Sequence, residues 1–246
     1  MRNTGGRMQF SGQDLLTEVD APEGEYEDIR LQVLSCAILS PNPHNIQPWL
    51  IEITGELSFN LYVDRDRLLP ETDPFYRQIH IGQGAFLEGL VVAASGLKHE
   101  AKITFFPQGM YGNREIDNKP IASIELVPNS NIEVNPLFHF LFTRQSNKRN
   151  YDNTRLSKDE LALITNSLQS SAGKRLAFFD TDDEKNSMVR ILTEAMTIEV
   201  GDKGRDLETI KMFRFNDREV NKLRDGFGLA QSGVAGIKKL IAETFF

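Results

Sequence analysis

Apolar positions recur at helical spacing over residues 26–40, where Ile29, Val33, Leu34, Ala37 and Ile38 share one face. Pro41 and Pro43 end that helix, because proline disfavours helical geometry in the residue before it. The period then changes. Residues 49–54 form a short apolar run, Gly55 and Glu56 mark a turn, and Phe59, Leu61 and Val63 alternate with Asn60 and Tyr62, which predicts a hairpin. Thr72 or Asp73 is placed to cap a helix whose first residue is Pro74 and which runs to about Leu97; Gly82, Gly84, Ala85, Gly89, Ala93 and Ala94 let a neighbour approach it closely. Strands are predicted over 101–106 and 121–127, joined through the Gly/Asn-rich 109–118. Next come a short helix at 136–142, a helix at 158–168, a strand at 175–179 and an acidic helix start at 180–183. The remainder is mostly helical, with breaks near 201–204 and 226–228. In the stretch 206–226, Asn216 and Glu219 stand at capping-box spacing and Gly226 is a stop; it is a candidate covering segment or a plain packing helix. Residues 229–246 place Val234, Ile237, Leu240, Ile241 and Phe245 on one face of a last amphipathic helix. The order suits an α+β chain with a mixed sheet flanked by helices.

Charge and composition narrow the functional classes. The 246 residues carry 28 Lys+Arg against 35 Asp+Glu, a net charge of −7, which argues against a general nucleic-acid binder. A lone cysteine, Cys36, excludes an intrachain disulfide and a multi-cysteine metal site. The histidines His44, His80, His99 and His139 form no i, i+4 pair of the kind a zinc-binding helix needs. The longest apolar stretch, 85–97, is interrupted by Glu88 and Ser95 and falls short of the roughly 20 residues that span a membrane. Residues 1–25 read as a flexible arm, and the first twelve lack the apolar core of a secretory signal. Other suggestive features have plain structural explanations. The acidic run Asp180, Asp182, Asp183 and Glu184 suits a helix N-terminus; Gly82-Gln83-Gly84 has Leu87 where a dinucleotide loop needs glycine; Glu88 is paired or at an edge; and Asp64, Arg65, Asp66 and Arg67 suit a solvated strand end.

Two segments ask for more. Ser40-Pro41-Asn42-Pro43-His44-Asn45-Ile46-Gln47-Pro48-Trp49 combines three prolines with four amide or imidazole side chains. A rigid loop loses little entropy on binding, and amides that donate and accept suit the imide edge of a planar heterocycle. The alternative is a turn-rich connection. The second segment is Arg144-Gln145-Ser146-Asn147-Lys148-Arg149. In extended chain, Arg144, Ser146 and Lys148 face one way and offer three donors to a phosphate monoester; as a bland alternative they form a solvated basic turn.

Taken together these residues resemble the nitroreductase superfamily of FMN-dependent oxidoreductases. Arg144, Ser146 and Lys148 match its Arg-x-Ser-x-Arg/Lys segment; Pro41, Asn45, Gln47, Pro48 and Trp49 match its Pro-Ser-x-x-Asn-x-Gln-Pro-Trp segment, with Asn42 in place of the usual serine. More narrowly, the stretch from Ala37 through Asp73-Pro74-Phe75-Tyr76-Arg77-Gln78 to Gly84-Ala85-Phe86-Leu87-Glu88 is similar to the branch in which two such halves are fused, some members of which are exported by the twin-arginine route or resemble flavin-sequestering proteins. The resemblance implies a nitroreductase-like, mainly antiparallel α+β fold, with a first half over 26–135 and the start of a second over 136–246. It implies FMN held by Pro41, Asn42, His44, Asn45, Gln47, Arg144, Ser146 and Lys148. Arg144 and Ser146 would take the phosphate, Lys148 the charge that reduced flavin develops, and Asn45 and Gln47 the ring or ribityl chain. It also implies NAD(P)H as donor, a small organic acceptor, a ping-pong hydride transfer without a catalytic side chain, and a homodimer or pseudo-dimer; the alternative is a flavin-storage protein without turnover. The second half is expected to continue past the uncapped Phe245-Phe246 end, and the compartment is cytoplasmic as the sequence stands, or exported if a twin-arginine signal has been removed.

Overall fold

The computed structural model describes residues 5–7, 9–10 and 18–20 as backbone, and residues 26–148, 150–152, 154–167, 176–234 and 236. By its contacts the chain divides into two compact units, Met1–Lys148 with Leu207–Phe246, and Arg149–Asp206.

The first unit is built on a five-stranded sheet. Within the segment expected as an arm, β1 (Gly5–Arg7) pairs antiparallel with β3 (Glu18–Asp20), while β2 (Gln9–Phe10) joins the main sheet. Helix α1 (Ile29–Ala37) follows, started by Asp28, whose carboxylate accepts from Arg30 N at 2.8 Å. Strands β4 (Trp49–Gly55) and β5 (Ser58–Val63) form the expected hairpin, with Trp49 opposite Val63 and Ile51 opposite Leu61. Helix α2 (Arg77–Gly96) leads into β6 (His99–Phe105), which pairs antiparallel with β7 (Ala122–Pro128). The sheet order is β2-β4-β5-β7-β6, antiparallel except for the β2–β4 edge. The chain is therefore α+β with a mixed, mainly antiparallel sheet.

Alternation along the strands makes the sheet two-sided. Trp49, Ile51, Phe59, Leu61, Ile124 and Leu126 are buried in one core with Leu34 of α1 and Ile79, Phe86 and Leu90 of α2. Each such side chain contributes about 1.5–3 kcal/mol. The opposite side carries a polar ladder in which Glu52 accepts from Tyr62 Oη at 2.7 Å and Asn60 Nδ2 at 3.0 Å, and Asn60 accepts from Ser123 Oγ at 2.5 Å.

Helix α2 begins at Arg77 rather than at Pro74. Asp73 N bonds Leu69 O, Tyr76 N bonds Asp73 O, and Tyr76 takes a left-handed φ of 55°, which no helix continues. Asp73 still serves the helix start: its Oδ2 accepts from Ile79 N at 3.0 Å, from outside the cap position. The helix expected at 136–142 is a single 3-10 turn, Phe138–Phe140. Of the small residues on α2, Gly82 lies against Asn42 and Pro43 and Gly89 against Ser40, whereas Gly84 faces open space and Glu88 is exposed.

The second unit holds α3 (Lys158–Ser167) and α4 (Asp182–Val200); Thr181 and Glu184 form a capping box at the acidic start of α4. Residues 176–179 of the strand expected at 175–179 form no strand, because the described residues of this unit include none for them to pair with. Helix α5 (Lys203–Met212) is followed by β8 (Phe213–Arg214), α6 (Asp217–Leu223) and β9 (Phe227–Gly228), with β8 and β9 paired in parallel. The stretch 206–226 is thus two helices separated by a strand residue pair, with Asn216 accepting from Glu219 N at 3.0 Å where the sequence marked an interruption. The helix expected at 229–246 falls largely outside the described residues.

Candidate functional site

The proline-rich loop leaves α1 and enters β4 in a strained path. His44, Asn45 and Gln47 all take left-handed φ values, 47°, 55° and 52°. Each costs on the order of 1–2 kcal/mol for a residue other than glycine, less for asparagine. The loop holds this shape through Asn42, whose Oδ1 accepts from Gln47 N at 2.8 Å, and through Gln83 of α2, whose Nε2 donates to Pro48 O at 2.6 Å. Beneath it Trp49 packs on Phe86, ring centroids 4.8 Å apart and tilted, and both Trp49 Nε1 and Gln83 Oε1 are buried without a hydrogen-bond partner among the described residues.

The two amides expected to meet a ligand meet the chain instead. Gln47 Nε2 donates to Arg224 O at 2.7 Å, and Asn45 Nδ2 donates to Gly226 O at 2.9 Å. Asn45 O accepts from Gly226 N at 3.0 Å. His44 lies against Phe227, ring centroids 5.4 Å apart. A strap running from Arg224 to Phe227 therefore rests on the loop. Asp225 fixes it by pairing with Arg67 at 3.1 Å and Arg214 at 2.6 Å, while Arg67 also donates to Ile46 O at 2.6 Å and lies 3.5 Å from Asp64. All four charges are largely buried, so they are screened less than surface pairs.

Arg144 reaches the same region from the other motif. Its Nη2 donates to Leu39 O at 3.1 Å, two residues before Pro41. The residue as a whole is exposed, yet its guanidinium is desolvated enough to lower its pKa, and among the described residues no carboxylate pairs with it. A cation so placed favours an anion. Ser146 and Lys148 follow on exposed coil, and Pro41 is exposed. The structure thus brings Arg144 beside the 41–47 loop and leaves Ser146 and Lys148 on a surface segment. The sequence offered 206–226 as a candidate covering segment or a packing helix; it did not mark Arg224 to Phe227 as the part that bonds the loop amides, nor Arg67 as a residue that holds it.

Among the described residues no group of three His, Cys, Asp or Glu side chains is placed to hold a metal, and no helix is long and apolar enough to cross a membrane.

No family model matches the chain. A stretch of 101 residues, 39% of the chain, is 36% identical to an uncharacterized protein of Mycobacterium tuberculosis and covers 26% of that protein. A stretch of 75 residues, 30% of the chain, is 36% identical to a protein of the same organism named "Putative NAD(P)H nitroreductase" and covers 22% of it. The matches thus span about a quarter of these relatives' length. Part of the chain is similar to a protein of nitroreductase name.

Proposed function

We propose that the chain binds FMN with the 41–47 loop and the 144–148 segment, as an oxidoreductase of nitroreductase type and fold that moves hydride in a ping-pong cycle from NAD(P)H to a small organic acceptor. The observation that carries this reading is the seat of Arg144: a desolvated guanidinium, without a carboxylate partner among the described residues, beside a strained loop whose amide donors and acceptors are covered by the 224–227 strap. That donor set fits a phosphate at one end and a heterocyclic edge at the other. Arg144 and Ser146 would hold the phosphate, Lys148 would stand by charge developing on the ring, and Pro41, Asn42, His44, Asn45 and Gln47 would line and orient it. When bound, FMN supplies the hydride chemistry, and the chain supplies binding, orientation and the exclusion of water.

FMN titration of the purified chain, followed by quenching of flavin fluorescence, tests this directly. Saturable binding is expected, weakened at least tenfold in Arg144→Ala, because hydrogen bonds to charged groups are worth about 1.5–3 kcal/mol. A chain that takes up no FMN overturns the reading. The covered state of Asn45 and Gln47 favours a second reading, a flavin-holding protein without turnover; FMN-loaded chain that leaves NAD(P)H unoxidised would decide for it.

A further inference from the structure

The strap presents to the loop, in chain order, the Arg224 carbonyl, the Gly226 N–H and the Gly226 carbonyl. The loop answers with a donor, Gln47 Nε2, an acceptor, Asn45 O, and a second donor, Asn45 Nδ2. Acceptor, donor, acceptor is also the sequence of groups along a cyclic imide, O=C–NH–C=O. We infer that the strap is an internal stand-in for an imide ligand: the Asn45–Gln47 array reads an imide edge, and the strap occupies that array until the ligand displaces it. This rests on the FMN reading and extends it, since it assigns which edge of the ring the loop would read and what must leave first.

Three features besides the hydrogen-bond match carry the inference. The loop keeps three non-glycine residues at positive φ, an arrangement that points one backbone carbonyl and two amides toward a single partner. The strap is held apart from those three bonds by one tether, Asp225, which pairs with Arg67 and Arg214, while its far end is fixed by the β8–β9 pair, so release of Asp225 frees residues 224–226 with β9 still anchored. Helix α6 ends before Arg224, left-handed at φ 55°, and Gly226 stands at φ 69°, so residues 225 and 226 lie in no helix or strand and only Phe227 of the strap belongs to the β8–β9 ladder. A ligand of matching pattern replaces three bonds with three bonds, which makes the exchange close to neutral and therefore reversible.

Amide hydrogen exchange at Gly226, read with FMN titration of the full chain, tests the idea. Without ligand the Gly226 N–H is expected to be protected; with saturating FMN its exchange should speed up at least tenfold. Flavin methylated at N3, which lacks the imide N–H, should bind at least tenfold more weakly than FMN. Asp225→Asn, which loosens the strap without touching the loop amides, should bind FMN several-fold more tightly; Phe227→Ala is the second route to the same release if that variant folds poorly. FMN bound with Gly226 still protected, or N3-methyl flavin bound as tightly as FMN, overturns the inference and leaves the FMN reading standing. Failure of FMN to bind even in a variant whose Gly226 exchanges freely overturns both.

Discussion

At the scale of single residues, Gly226 is closed to any side chain. Its φ of 69° is unfavourable for any side chain, and a Cβ there would run into Met212 O and the Arg214 guanidinium. Gly226→Ala should cost on the order of 1–3 kcal/mol, either in global stability by urea unfolding or as local detachment of the strap seen by faster exchange at residue 226. Cys36 gives a pH prediction. Burial pushes its thiol pKa from 9.0 to about 11, so the folded chain keeps the proton that the unfolded chain loses. Its contribution is complete below pH 9 and is lost as pH rises toward 11, by about 1.4 kcal/mol per unit at most. Urea midpoints across that range should fall less steeply in Cys36→Ala. Thiol reagents should label the native protein only as fast as it opens.

At the scale of elements, the helix starts show what local sequence can and cannot specify. Asp28 caps α1 and binds Arg30, an interaction that lowers its carboxyl pKa chiefly through the Arg30 side chain. Asp28→Ala should cost about 1 kcal/mol, a loss that vanishes in the wild-type comparison as pH falls through the carboxylate range and the cap is protonated. Asp73 serves α2 from a turn, and Asp73→Ala should destabilise by about 1–3 kcal/mol because Ile79 N is left buried without a partner. The hairpin, the two strands β6 and β7, α1 and the acidic start of α4 were legible because each is coded within about fifteen residues. The start of α2 was not, since the decisive event is a left-handed Tyr76 set by the Leu69–Asp73 turn. The strand expected at 175–179 failed for the opposite reason: β-propensity is local, but a strand exists only beside another. In the candidate site, the amide spacing of the loop could be read directly. Its occupants could not, because Asn45 and Gln47 meet residues 181 and 177 positions away.

At the scale of the whole molecule, the two units differ in what holds them. The first has a continuous core around Trp49, Phe59 and Phe86, whereas no described residue of Arg149–Asp206 is buried, and Val189, Leu192, Met196 and Val200 of α4 are all more than half exposed. Helices of this length without a packed face are marginal in water. Unfolding followed by far-ultraviolet circular dichroism should therefore begin at lower urea than unfolding followed by the lone tryptophan, Trp49, which reports the first unit alone. Coincident transitions would show that the second unit shares the stability of the first. Exposed apolar patches also favour self-association, so Leu192→Lys should reduce any concentration-dependent mass seen by light scattering.

The distance in sequence between loop and strap has a consequence for synthesis. Asn45 and Gln47 are made 181 and 177 residues before the carbonyls that cover them in the finished chain. At about 5–20 residues per second, the gap is on the order of 10–40 s. During that interval the strap is not yet there to cover the loop amides, and water or a small molecule already in the compartment where the chain is made has access to them. A ligand bound then would meet no competitor, whereas one added to the finished protein must first displace the strap. Uptake during translation should accordingly be faster than uptake by purified chain at the same ligand concentration, and order of arrival becomes part of how the site is filled.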